Sequence, residues 1–507
     1  MSEKSVIIIG AGLAGLAAGC YAQMNGYQSH IFEHHSQPGG VAAAWRRGEY
    51  LIDGGIHFVM GHKPGTALYE LYQQLGIVPA CRFVDLLTFG RFTEEASGRS
   101  VLVTHDLGRL ASDLKAQSPA DGRIVDGLIA GARAMQGLDM STMGLSSPPE
   151  LSHPLEQLGE LWAMRRIFTY FVGKHGRTVA EYTQAMQDPW LRQCINYLFL
   201  PEVPVWFIYM LLALLADGQV GLLEGGCPDF VLPMERRFKE LGGQITYGAT
   251  VEEILVQDGT AVGVRLADPA GTPGSGDEHH ADAVISAADG HSTIFTMLGG
   301  RYVNDKIRQR YLSWKLCRPF LLVSFGVARQ FPAEPAFSTL LLERPLTVGS
   351  QTVEGLFVRI LNYGPRFAPP GKTVVQAEFE AEWEYWDDLQ RDDRARYEAE
   401  KERVAAEILG RLEAHYPGLS SQVEVVDVAT PYTTWRYTLN QKGAWGGWLL
   451  TPDLITARVE RTLPGLKGFA MAGQWVMPGG GVPSCLYSGR HAVQILCRHD
   501  GKPFTVK

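Results

Sequence analysis

The chain has 507 residues, 46% of them hydrophobic and 20% charged, and 46 Lys and Arg against 54 Asp and Glu give a formal charge of −8. This apolar content excludes a disordered chain, and the lack of a repeat excludes collagen-like and coiled-coil architectures. Net acidity, with no basic run longer than Arg165-Arg166, excludes nucleic acid as the main partner.

At roughly 150 residues per domain the length predicts two or three units. The N-terminal run Val6 to Ile9 is too short for a signal-peptide core and predicts a strand. Gly10-Ala11-Gly12-Leu13-Ala14-Gly15 follows, then a helix over Leu13 to Met24 and a second strand, Ser29 to Phe32, ending at Glu33. In such a βαβ unit Gly10 permits the tight turn, Gly12 lets the backbone approach a pyrophosphate, and Gly15 lets the helix pack closely. The helix N-terminus offers N–H groups to phosphates, and Glu33 stands where a carboxylate accepts hydrogen bonds from a ribose. The next segment, Gly39-Gly40, Val41, Trp45, Arg46 and the run from Leu51 to Phe58 that contains Gly55, Ile56 and His57, has no place in a simple NAD fingerprint. A helix from Thr66 carries Leu68, Leu71, Tyr72 and Leu75 on one face and stops at Gly76.

Residues 77–216 mix helical patches with Pro-containing loops and end in the uncharged run from Val203 to Ala216. That run is shorter than the roughly 20 residues a membrane span needs. It reads as a buried helix, with a monotopic patch or the mouth of an apolar channel as the alternative. From Leu222 a turn, an amphipathic helix and a strand are predicted, then a hairpin of Val251–Val256 with Ala261–Leu266, a polar surface loop, and a strand over Ala283 to Ser286. From Val375 to Tyr385 the chain alternates, with Ala377, Phe379, Ala381, Trp383 and Tyr385 on one side and Glu378, Glu380, Glu382 and Glu384 on the other. Like charges on alternate residues repel unless water screens them, so the acidic face is predicted to be solvated. A helix with Val404, Ile408 and Leu412 as its core stripe ends before Pro417-Gly418. The seven cysteines show no CxxC pair and fit reduced thiols in the cytoplasm. Fourteen histidines without HExxH or paired helical spacing predict no metal site, and the absence of GxSxG leaves hydrolase chemistry unsupported.

The C-terminal segment is the most specific: Gly468 to Gly473, Gln474 and Trp475, then Pro478-Gly479-Gly480-Gly481-Val482-Pro483 and Ser488-Gly489-Arg490. With the N-terminal motifs and the segment from Gly225-Gly226 to Val251, it resembles the phytoene desaturase, carotenoid isomerase and retinol saturase group of FAD-dependent oxidoreductases, and more distantly the flavin amine oxidases. The glycines cluster accordingly, twelve of the 57 lying in residues 1–65 and seven each in 217–250 and 465–490.

The resemblance implies an α/β fold in which a discontinuous Rossmann-like FAD-binding domain (1–76, 217–300 and 460–507) is interleaved with an α+β substrate domain (77–216 and 301–459) containing a mostly antiparallel sheet. It implies FAD held by Gly10, Gly12, Leu13, Ala14, Gly15, Glu33, Gly39, Gly40, Val41, Arg46, Gly55, Ile56, His57, Val251, Gly473, Gln474, Gly481, Val482 and Pro483, with the Val251 backbone at the adenine. His57, Gln474 and Trp475 are then the near-flavin residues, with no acid or base assigned among them. Two departures stand out. Gln474 replaces an acidic residue common in related flavoproteins, and Val41 stands where amine oxidases often place Arg, leaving Arg46 or Arg47 for the phosphates. Cys485, beside the flavin motif, reads as packing.

The implied reaction is desaturation, saturation or isomerisation at carbon–carbon bonds of an apolar isoprenoid, carotenoid or fatty-acyl-like small molecule. The run from Val203 to Ala216 and the face of Phe379, Trp383 and Tyr385 are the expected walls of its channel. Trp435, Tyr437, Trp445 and Trp448 read either as core or as further lining. Transient contact with the inner face of a membrane would accompany such a substrate. An amine or amino-acid oxidase and a non-enzymatic escort protein for prenylated GTPases share the fold and stay open here.

Overall fold

Val6 to Ile9 lies at the centre of a parallel sheet because it is apolar on both faces, as a strand covered on both sides must be. The structure, a computed structural model, describes all residues except 1–3, 140–146, 153–167, 456 and 507, so Arg165 and Arg166 lie outside the described residues. The sheet's order is Gln244–Tyr247, Tyr27–Glu33, Lys4–Ile9, Ala283–Ser286, Phe469–Met471, every pair parallel. Its strands therefore come from three separated stretches of chain. The first helix, Leu13–Met24, packs on the C-terminal helix, Gly481–His499. A Cβ at Gly489 would lie 2.5 Å from the Ala14 carbonyl oxygen, so glycine sets that approach.

The second sheet has seven strands in the order Val423–Ala429, Phe320–Val327, Thr373–Glu380, Gln351–Ile360, Phe337–Val348, Thr88–Glu94, Ser100–Thr104. Only Phe337–Val348 with Thr88–Glu94 is parallel. One face packs on the helix Arg394–His415 through Val404, Ile408 and Leu412, all fully buried. The hairpin of Ala44–Arg47 and Tyr50–Asp53 also packs toward this sheet, Tyr50, Leu51 and Ile52 clustering with Leu361, Phe367 and Val374.

The run from Val203 to Ala216 is a buried helix, Val205–Ala216, that crosses the helix Gly122–Met135 where Gly131 lies under the Tyr209 ring. Among the described residues no helix is long and apolar enough to cross a membrane.

The stretch from Val375 to Tyr385 departs from expectation. The strand stops at Glu380 and a new helix, Trp383–Asp392, begins, so Trp383 and Tyr385 do not continue the strand's apolar face or line the cavity described below. The two faces are also reversed in role. Val375, Ala377, Phe379 and Ala381 join the core under Arg394–His415, although Phe379 also reaches the cavity, while the acidic face turns inward and Glu378 is 5% exposed. The sheet has helix on one side and cavity on the other, so the acidic face of this strand is not solvated as expected.

Candidate active site

The carboxyl ends of the strands Lys4–Ile9, Tyr27–Glu33 and Ala283–Ser286 open into one cavity of about 1830 Å³, where open parallel sheets place their ligands. Gly10 turns the chain there at φ +95°, a conformation glycine adopts without strain. Gly12 caps the helix Leu13–Met24 with no side-chain partner for its first-turn N–H groups, and Gly480 does the same for Gly481–His499. Two uncapped helix N-termini thus converge on the cavity, each with a partial positive charge. Glu33, almost fully buried, accepts the Ala11 N–H at 2.5 Å and the His35 N–H at 2.7 Å. Burial pushes its carboxyl above the usual range and those two bonds partly offset the effect. Glycine backbone, uncapped helix ends and a buried acceptor form the donor and acceptor set a dinucleotide with a diphosphate needs, so the residues present fit FAD.

Of the cofactor residues predicted from sequence, all but Gly15 and Arg46 line this one cavity. Gly15 lies beneath it, where a Cβ would fall 1.9 Å from the Gly10 carbonyl oxygen, so it works through packing. Arg46 points away and donates to the Glu49 carbonyl at 3.3 Å. Its neighbour Arg47 does line the cavity, with Nε 2.6 Å from Asp427 Oδ1. Gln474 and Trp475 line it as nearly buried side chains. The Trp475 ring meets Trp448 edge-on at 5.3 Å, and Trp448 Nε1 donates to the Trp475 carbonyl at 3.1 Å. Trp435, Tyr437 and Trp445 reach the cavity, whereas Trp448 is core. Burial pushes the Cys485 thiol up to about 12, which suits a packing role.

Beyond this cradle the same cavity is walled by Phe89, Phe171, Phe199, Trp206, Phe207 and Met210, the last three from the helix Val205–Ala216. Opposite them the strand Thr373–Glu380 presents two acids that the sequence placed in solvent. His57 Nε2 is hydrogen-bonded to Glu378 Oε1, and both residues line the cavity. Burial works against the Glu378 charge, but the His57 ring and the fully buried Arg359 guanidinium outweigh it and hold the carboxyl below its ordinary value. Two residues on, Glu380 is offset only in part, by the charge of Arg318. Burial, with Glu202 nearby, pushes it up to about 7. The signal for both acids was present in the alternation of residues 375–381, since either face of a strand can be the inner one.

A family model described as flavin containing amine oxidoreductase matches residues 13–497. The prolycopene isomerase of Arabidopsis thaliana is 24% identical over 515 residues, which cover 98% of this chain and 82% of that protein. The neurosporene-forming phytoene desaturase of Rhodobacter capsulatus is 23% identical, covering 97% and 93%. Among solved structures, cyclohexylamine oxidase from Brevibacterium oxydans superposes with a TM-score of 0.60 at 15% identity, over 99% of this chain and 100% of that one. An oxidoreductase from Methanosarcina mazei gives 0.58 at 16%, over 97% and 100%. These structural likenesses speak to the fold.

Proposed function

The chain belongs to the flavin containing amine oxidoreductase family, and on that premise we propose that it is an FAD-dependent enzyme acting at carbon–carbon bonds of an apolar, isoprenoid or fatty-acyl-like chain. Desaturation, saturation and double-bond isomerisation would all use the same site. The observation that carries this reading is the single cavity of about 1830 Å³ shared by the cofactor cradle and the aromatic wall. Pockets for one small molecule run to about 300–1,000 Å³, so the volume suits a cofactor and an extended substrate together. The curated relatives support the choice of chemistry, because prolycopene isomerases and phytoene desaturases match over nearly the whole chain.

When bound, FAD accepts or returns a hydride. The protein's own residues do the rest. The N-terminus at Leu13 would offer N–H groups to the diphosphate, that at Gly481 would offer a second set to the flavin end of the cofactor, and Glu33 keeps acceptor capacity for a ribose hydroxyl. Trp206, Phe207 and Met210 remove an apolar chain from water at about 0.8 kcal/mol per CH₂, which supplies affinity where the substrate has no polar handle. The same wall excludes water from the reacting carbons.

Anaerobic mixing of the FAD-loaded protein with polyenes, saturated isoprenoids, fatty-acyl compounds and amines, followed by flavin absorbance and product analysis, tests the reading. Conversion of one of the first three classes is expected. Flavin bleaching by amines alone would overturn it in favour of an amine oxidase, and a purified protein that binds no FAD would revive the escort reading.

A further inference from the structure

The cavity's sheet wall carries a hydrogen-bonded polar chain that includes His57 and Glu378. His57 follows the Asp53-Gly54-Gly55-Ile56 turn and leans on the strand Thr373–Glu380, its side chain 26% exposed and that of Glu378 6%. Arg359, on the adjacent strand, donates from Nη1 to the Asp53 carbonyl at 3.0 Å and is itself fully buried. The Asp53 carboxylate is taken up locally: Oδ2 accepts the Cys227 N–H at 2.7 Å, and Oδ1 accepts the Gly55 N–H at 3.2 Å and the Cys227 thiol at 3.0 Å. The charged and titratable groups around His57 are therefore Glu378 and Arg359 from the sheet, Asp53 from its own hairpin and Cys227 from the helix Cys227–Glu240. Phe357 covers the ring from the same sheet, centroids 5.9 Å apart.

An ionised carboxylate accepts and cannot donate. Bound to Glu378, Nε2 of neutral His57 must carry the proton, which leaves Nδ1 as a bare lone pair, and the one hydrogen bond of the ring among the described residues is that from Nε2. A second group fixing the ring's tautomer in this way is the arrangement that orients a proton-transferring histidine. We infer that His57 is the catalytic group that exchanges a proton with the substrate through Nδ1, and that Glu378 is the positioning residue that keeps Nε2 protonated and the ring fixed. The inference rests on the reading of the site as acting at carbon–carbon bonds.

In desaturation a CH–CH unit loses a hydride and a proton. Bound FAD, in its oxidised form, would supply the acceptor for the hydride and its electron pair. The second C–H bond breaks with its proton passing to Nδ1, and the electron pair left on carbon becomes the new π bond. Saturation runs the same exchange backwards, with the imidazolium giving up the proton. Isomerisation uses both directions in turn.

The test uses the FAD-loaded protein and the variants H57N, E378Q and E378D, with flavin absorbance as the check that each folds and keeps its cofactor. One arm records ring ¹⁵N resonances of the histidines, with His57 identified by its loss in H57N. It needs no substrate. Wild type and E378D should show the Nε2–H tautomer of His57. E378Q, whose amide can donate or accept, should show a mixture of both. The other arm follows exchange of polyene hydrogens with D₂O during turnover. A fall of roughly 100-fold or more is expected in H57N, the size of a lost general acid–base group. A smaller fall in kcat with KM unchanged is expected in E378Q, largely restored in E378D. Unaltered exchange in H57N, or an unaltered tautomer in E378Q, overturns the inference. Failure of every polyene to turn over overturns the carbon–carbon reading and the proton-exchange role with it, while the ring spectrum still decides whether Glu378 sets the tautomer.

Discussion

At Gly15 a single hydrogen decides whether strand, turn and helix can meet. A Cβ there would lie 1.9 Å from the Gly10 carbonyl oxygen, and both partners are backbone, so neither can swing away. G15A should therefore cost about 1–3 kcal/mol as an overpacked contact and weaken FAD retention, read as flavin absorbance per protein after desalting and as the denaturation midpoint. The glycines were legible in the sequence because their spacing carries the geometry of a strand–turn–helix. Arg46 was not legible. Adjacent residues on a strand point to opposite faces, and residue type alone does not say which of Arg46 and Arg47 turns inward.

At the scale of elements, the strand Thr373–Glu380 is the informative case. Its alternation was readable and its inner face was not, because both candidate partners, the helix Arg394–His415 and the cavity, are assembled from residues far away in sequence. Charge repulsion among the acids argued for solvent. That argument fails where His57 and Arg359 compensate Glu378 and where burial favours the neutral form of Glu380. Glu380 gives a pH prediction. Its carboxyl is raised from 4.5 to about 7 in the folded protein, so between those values the native state holds more protons than the unfolded one and stability falls as pH rises. E380Q should flatten the change in melting temperature across that window relative to wild type. Unchanged slopes would show that the side chain is hydrated. In the helix Arg394–His415 that covers the other face of the same strand, I408A should destabilise by about 2–5 kcal/mol in denaturant unfolding, the range for emptying a well-packed apolar site.

At the scale of the whole molecule, three separated stretches of chain build one parallel sheet, and the segments between them build the wall that faces it. The interleaving could be read from the sequence because glycine-rich motifs recur at the start, middle and end of the chain. The shared cavity could not, since Trp206, Met210 and His57 meet only in three dimensions. M210W places a bulky ring where the helix Val205–Ala216 meets the cavity. It should raise KM for a long apolar substrate severalfold while leaving FAD content intact, measured by steady-state kinetics alongside flavin absorbance. The most direct test of the central claim is anaerobic turnover of a polyene by the FAD-loaded protein, once with the flavin oxidised and once with it reduced beforehand. The account predicts a product differing in the number or geometry of its carbon–carbon double bonds, formed in at least one of the two states and not without FAD. Polyenes recovered unchanged from both, with amines alone oxidised, would contradict it.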